Sequence, residues 1–188
     1  METDGMIKGK RIILRPRRRS DAAFFVHWYN QPRIMFQCGF TQETTLAQEE
    51  ETLESAREDS VWFTITDLDG TIIGETGLLR MFPEWHCTDL SIIIPDPESQ
   101  GHGYGKEAIM LMIQMAFDRY DMNRIAIGVV GKNAEALRFY EKTGFKQEGI
   151  QEQGYYWEGE YSDFVMMRLL RNEFCQSHLN QHKEQIRL

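Results

Sequence analysis

Gln100-Gly101-His102-Gly103-Tyr104-Gly105-Lys106 decides how this chain is read. It follows an apolar run, Ile92-Ile93-Ile94, that Pro95 and Pro97 bring to an end. It leads into a segment whose apolar residues recur at helical spacing: Ile109, Met112, Ile113, Ala116, Phe117 and Tyr120. The order is thus strand, glycine turn, helix start. Glycines let a backbone approach a ligand closely. Free N–H groups at a helix start, helped by the helix dipole, bind phosphate oxygens. The physical reading is a pyrophosphate site, and the plain alternative is a tight turn with no ligand. Two well-known phosphate loops fit poorly. The dinucleotide fingerprint G-x-G-x-x-G needs a third glycine where Lys106 stands, and it opens an early βαβ unit, whereas strands and two helices precede this turn. A P-loop needs Ser or Thr after Gly-Lys, and Glu107 stands there.

Upstream, Lys10 to Arg15 read as a strand with Ile12 and Leu14 on one face. Ser20 or Asp21 can cap a helix carrying Ala22, Phe25, Val26 and Tyr29, which Asn30-Gln31-Pro32 ends. Thr45 and Gln48 form a capping box for a second, acidic helix running to about Ala56. Val61–Thr66 and Thr71–Arg80 read as strands joined by Asp69-Gly70, a hairpin signal, and Cys87–Ile94 as the next strand. Downstream, Arg124–Val130 alternates like a strand. Asn133 can cap a helix that stops at Gly144, and Phe145 begins a further strand. Glu158-Gly159 turns the chain into the last strand, Tyr161–Leu170. The predicted order is β-α-α-β-β-β-α-β-α-β-β, a mixed α/β sheet, mostly antiparallel early, with helix crossovers late.

A length of 188 residues predicts one domain, residues 1–174, with a polar tail at 175–188. Hydrophobic residues make up 41% and charged residues 27%, which excludes a disordered chain, a fibre and a disulfide scaffold. Cys38, Cys87 and Cys175 are an odd count without metal-ligand spacing, as for reduced thiols in a cytoplasmic protein. The longest apolar stretch, Ile109–Phe117, is interrupted by Gln114 and falls short of the roughly 20 residues of a membrane span. No signal peptide is evident, so a soluble, cytoplasmic protein is expected. The net charge of −8 argues against nucleic acid as a partner. Its distribution is uneven: residues 1–39 carry a balance of +5, residues 40–99 one of −12. A solvated acidic helix face is the plain explanation, and a surface that attracts a cationic substrate is the sharper one.

Gln100-x-x-Gly103-x-Gly105 resembles the Q/R-x-x-G-x-G/A signature of the GNAT family of N-acetyltransferases. The resemblance extends to Asn133-Ala-Glu-Ala-Leu-Arg-Phe-Tyr-Glu-Lys-Thr-Gly-Phe145, which looks like that family's N-x-x-A-x-x-x-Y-x-x-x-G-F block. Ile13-Leu-Arg-Pro, followed by Asp21-Ala22, and Glu148-Gly-Ile are similar to the RimJ/RimL-like branch, which includes protein N-terminal and polyamine acetyltransferases. The resemblance covers roughly residues 10–172. It implies the GNAT acyl-CoA N-acyltransferase fold, acetyl-CoA as cosubstrate, no metal, and transfer to a primary amine by direct attack in a ternary complex.

The same resemblance implies a site. The amides of Gly101, His102, Gly103, Tyr104, Gly105 and Lys106 would hold the CoA pyrophosphate, with Gln100 steadying the turn and Lys106 able to add charge. Backbone groups of Ile92, Ile93 and Ile94 would pair with the pantetheine arm, their side chains being ordinary core. Asn133 would cap its helix and touch CoA, with Phe139 beside it in the block. Tyr140 would protonate the leaving thiolate. A base for the ammonium proton is needed. Glu75 and Asp89, on adjacent strands, are the candidates, and Glu84 is a poorer third. The acceptor pocket would draw on His27, Trp28, Tyr29, Arg33, Phe36 and Phe40, and on Tyr155, Tyr156 and Trp157. Aromatic rings beside carboxylates suit an organic ammonium. Arg33 would favour a carboxylate-bearing peptide instead. The acceptor is thus a polyamine or other small cationic amine, or a protein N-terminus. Two other readings compete: a non-catalytic CoA sensor of the same fold, and a nicotinamide-dependent oxidoreductase with a variant loop. Family members often form homodimers, which the resemblance makes an expectation here.

Overall fold

The computed structural model describes residues 5–55 and 57–175; the predicted polar tail falls outside them apart from Cys175. The elements are β1 (Ile7–Lys8), β2 (Ile12–Pro16), α1 (Ala22–Tyr29), α2 (Pro32–Cys38), α3 (Leu46–Glu54), β3 (Val61–Asp67), β4 (Ile72–Phe82), β5 (Cys87–Ile93), α4 (Tyr104–Asp118), β6 (Arg124–Val130), α5 (Ala134–Lys142), β7 (Lys146–Trp157) and β8 (Glu160–Leu170). They pack as two compact units. Of the described residues, one holds those up to Arg80 with Leu90–Ile113, the other Met81–Asp89 with Gln114–Cys175. Strands β4 and β5 and helix α4 belong partly to each.

In the first unit β1, β2, β3 and β4 pair antiparallel in that order. Beside β4 lies the end of β5: the Thr76 hydroxyl donates to the Ser91 carbonyl at 2.8 Å. A Cβ added at Gly74 would run into the Ile93 carbonyl, so glycine is what lets β4 and β5 approach there. Helices α1, α2 and α3 bury Ala22, Phe25, Tyr29, Ile34 and Leu53 against one another, with Ile93 of β5 packed on the cluster. The first three turns of α4 bury Ala108, Ile109, Met112 and Ile113, the spacing that the sequence shows.

Two local expectations change here. Asn30-Gln31-Pro32 ends α1, but Pro32 also opens α2, because the first helical position needs no N–H and suits the fixed φ of proline. Gly39, at φ +75°, closes that helix. Asp21 does not cap α1. Its carboxylate takes both Arg15 Nη1 and Nη2 at 2.8 Å, the Thr64 hydroxyl at 2.8 Å and the Arg18 amide at 3.0 Å. Burial raises its pKa, yet these donors outweigh burial and hold it below the usual carboxylate value. The capping box of α3 forms as read, the Gln48 amide donating to Thr45 Oγ1 and the Thr45 amide to Gln48 Oε1.

In the second unit Cys87–Asp89 of β5 pairs parallel with Arg124–Ala126 of β6. Strand β6 pairs antiparallel with β8 along its whole length, and β8 with β7. The β7–β8 turn has Glu158 at φ +48° and Gly159 at φ +86°, the two left-handed residues of a tight hairpin. Phe117, Ile125, Ile127, Tyr140, Phe145, Met167 and Leu169 are buried in this unit. The mixed α/β class, mostly antiparallel with helices alongside, agrees with the sequence reading; β1 and α2 are additions to it.

Candidate active site

The glycine turn is built as a launch point for α4. After β5, Asp96 Oδ1 accepts the Glu98 amide at 2.9 Å and shapes the exit. Gln100 Nε2 donates to the Ile94 carbonyl at 3.1 Å, so the glutamine ties the turn to the strand it leaves. Gly101 and Gly103 sit at φ +78° and +83°, where side-chain-bearing residues are strained. Nothing lies within 4 Å of where a Gly101 Cβ would stand. The i→i−4 ladder of α4 begins with the Glu107 amide on the Gly103 carbonyl, at 3.1 Å. The Tyr104, Gly105 and Lys106 amides therefore precede the ladder and point along the positive end of the helix dipole. This is a cradle that suits a pyrophosphate. His102 is exposed and stacks on Tyr104, ring centres 5.5 Å apart, and Lys106 is exposed. Ile92, Ile93 and Ile94 are half-buried rather than full core, because consecutive apolar residues at a strand end point to both faces.

In the same unit β4 presents a buried carboxylate. Glu75 is 6% exposed. Its Oε1 accepts the Tyr29 hydroxyl at 2.6 Å, and Oε2 is buried with no hydrogen bond. Arg17 Nη1 stands 3.8 Å from Oε2, outside hydrogen-bond range, with its guanidinium over the Trp62 ring at 5.3 Å. Burial pushes the Glu75 carboxyl up to about 7; Tyr29 and Arg17 pull against this and Glu49 adds to it. The same burial raises the Tyr29 phenol well above its ordinary value and the Cys38 thiol to about 12. Glu49, also buried, is raised by desolvation. Arg17, Glu49 and Cys38 were not picked out from the sequence as site residues. Arg17 Nη2 also donates to the Thr52 carbonyl of α3 at 3.4 Å, a partner that no spacing along the chain announces.

The acidic balance of residues 40–99 is partly neutralised within this unit. Arg19, from outside the segment, pairs with Glu50 at 2.5 Å and with Glu54 at 3.1 Å. Arg33, read as a possible carboxylate binder, donates Nη2 to the Pro95 carbonyl at 2.6 Å and Nη1 to Gln37.

The second unit holds the remaining candidates. Asn133 Oδ1 accepts the Ala136 amide at 3.1 Å, the N-cap read from the sequence. Tyr140 is buried on α5 between the rings of Phe139 and Phe145, at 5.3 and 5.8 Å. The Phe145 amide and the Thr143 hydroxyl close on its carbonyl at 3.0 and 2.8 Å. Asp89 is half-buried on β5 and Glu84 exposed in the turn before it. Tyr155 packs near Phe164, and Tyr156 pairs with Tyr161 across the hairpin, both rings largely exposed. Among the described residues no group of three or more His, Cys, Asp or Glu could hold a metal, and no helix is long and apolar enough to cross a membrane.

A glycine-opened helix start after a strand, in a mixed sheet that also carries a buried carboxylate, suits an acyl-CoA-dependent transferase. A family model described as "Acetyltransferase (GNAT) domain" matches residues 11–146, and the chain belongs to that family. It is 26% identical over 166 residues to the spermidine N(1)-acetyltransferase of Vibrio cholerae, covering 87% of this chain and 95% of that one. It is 26% identical over 155 residues to an alpha/beta-tubulin-N-acetyltransferase 9 of Drosophila melanogaster, covering 74% and 77%. Its fold is similar to the crystal structure of the Vibrio cholerae spermidine N-acetyltransferase in complex with CoA and spermine, with a TM-score of 0.82 at 24% identity over 89% of this chain and 99% of that one. The chain is an acetyl-CoA-dependent N-acetyltransferase that acts on an amine. The CoA-sensor and nicotinamide readings are set aside.

Proposed function

We propose that the acceptor is a small organic ammonium of the polyamine class, with Glu75 as the base that takes its proton. The observation that carries this reading is the Glu75 carboxyl: buried, raised to about 7, with one oxygen free of hydrogen bonds. A base is most useful when its pKa lies near the working pH. The free oxygen can receive an N–H, and the rings of Tyr29 and Phe40, 4.9 Å apart, stand on the same cluster. The occupation of Arg33 by Pro95 and Gln37 weakens the case for a substrate carboxylate. The spermidine-acetylating relative supports the same class, and the tubulin-acetylating relative keeps a protein amine as the second reading.

The roles follow from the chemistry. Acetyl-CoA supplies the acetyl thioester. The loop amides of Gly101–Lys106 hold its pyrophosphate, and the Ile92–Ile94 backbone is offered to the pantetheine arm. Glu75 removes one proton from the ammonium, so that a neutral nitrogen attacks the acetyl carbon. The C–S bond breaks, and the Tyr140 hydroxyl gives its proton to the thiolate and regains one from the acylated nitrogen through solvent. Asp89 is the second candidate for the base. The test is an acetyl-transfer screen of the full chain over polyamines, aminoglycosides, amino acids and short peptides. Preference for a polyamine supports the reading. Preference for a peptide N-terminus, with polyamines inert, overturns it.

A further inference from the structure

The Arg11 guanidinium stands over the glycine turn. Gly9 begins a tight turn, its amide donating to the Ile12 carbonyl at 2.9 Å, and this turn lies against the first turn of α4. Glu107 Oε1 accepts the backbone amides of Lys10 and Arg11, the second at 3.2 Å. A Cβ added at Gly9 would collide with that carboxylate, so glycine permits the docking. The docking carries Arg11 to the loop: its Nη1 would be 2.7 Å from a Cβ at Gly103.

Two consequences follow. An acidic residue in a helix's first turn ordinarily competes with an anion for the free amides. Glu107 is instead engaged by two amides from another segment. Arg11 is exposed, and among the described residues its side chain pairs with no carboxylate. An exposed, fixed positive charge with a planar fork of donors is thus held beside Gly103, whose neighbouring amides lie outside the helix ladder.

We propose that Arg11 is a phosphate-binding residue of the acetyl-CoA site, its guanidinium taking an oxygen of the pyrophosphate. The proposal rests on the reading that the Gly101–Lys106 amides hold that pyrophosphate. Arginine suits the task because its donors pair with phosphate oxygens in a bidentate fork, which a lysine ammonium cannot reproduce.

The experiment is calorimetric titration of the full chain and of Arg11→Gln and Arg11→Lys with CoA and with dephospho-CoA, at low and at moderate salt. Thermal unfolding of each protein serves as the folding control. Arg11→Gln is expected to weaken binding of both ligands about tenfold, as loss of a charge-assisted hydrogen bond implies. Arg11→Lys is expected to fall between it and the parent, and the salt dependence of binding to flatten in Arg11→Gln. Unchanged affinity in Arg11→Gln, with the parent binding CoA, refutes the role of Arg11 alone. A penalty seen with CoA and absent with dephospho-CoA overturns the pyrophosphate assignment, since the lost partner is then the 3′-phosphate. A parent chain that binds neither ligand refutes the loop reading itself and the proposal with it.

Discussion

Replacing Glu75 by Gln removes the charge and keeps the shape, and the Tyr29 hydroxyl can still donate to the remaining carbonyl oxygen. The carboxyl titrates at about 7 in the folded protein against an ordinary 4.5. The folded value is raised, so this group's contribution to stability is fully present below 4.5 and is lost as pH rises through 7. The difference corresponds to about 3 kcal/mol. The parent's stability, relative to that of Glu75→Gln, is therefore expected to fall between these two values and to level off above. Activity moves the other way. At pH 5.5 only about 3% of the parent carries the ionised base, and at pH 7 about half does, by the ordinary titration curve. The assay is kcat/KM for a polyamine from pH 5.5 to 9.5, with chemical denaturation across the same range. The parent should show an acid limb ending near 7. Glu75→Gln should lose ~10²–10⁴-fold at neutral pH and shift its optimum upward, where more amine is already neutral. A variant that keeps the parent's rate and acid limb refutes Glu75 as the base and transfers the role to Asp89 or water.

Gly103→Pro is expected to abolish acetyl-CoA binding in calorimetry while the fold persists, because φ +83° is closed to proline; full affinity would contradict the loop reading. Tyr140→Phe should lower kcat ~10²–10⁴-fold with little change in acetyl-CoA affinity, and a full-rate enzyme would leave Tyr140 as packing. Asp21→Ala strands Arg15 and Thr64 in a buried site and should cost about 3–5 kcal/mol in denaturant unfolding. Because the Asp21 pKa is lowered, its contribution is present above about 4 and is lost as pH falls below that, so acid unfolding of the parent should be steep and that of Asp21→Ala shallower. The KM for the best amine should rise with ionic strength while kcat holds, since salt screens attraction over ~8–10 Å; a flat KM would assign the acidic excess to solvated helix faces.

Elements with their own periodicity or cap were legible in the sequence. The Ile109-to-Phe117 spacing, the Thr45–Gln48 box, Asn133 and the Glu158-Gly159 turn all stand where the residues imply. Helix α2 was not, because Pro32 both stops one helix and starts another, and local signals do not separate the two. Nor was the fate of Asp21, whose Arg15 and Thr64 partners lie on two neighbouring strands. At the candidate site, the turn that Gln100 and the glycines build is a local motif whose shape could be read directly. The environment of Glu75 could not: Tyr29, Arg17 and Glu49 reach it from three separate segments, and no spacing along the chain announces that convergence.

The central claim is acetyl transfer to a cationic amine, and it is tested most directly by one reaction. The full chain is incubated with acetyl-CoA and spermidine, and free CoA thiol and N-acetyl product are quantified together. Equal amounts of thiol and acetylated amine are expected, formed faster than with any peptide or neutral amine at the same concentration. Thiol released without acetylated spermidine, or a peptide acetylated while spermidine is left untouched, would contradict it.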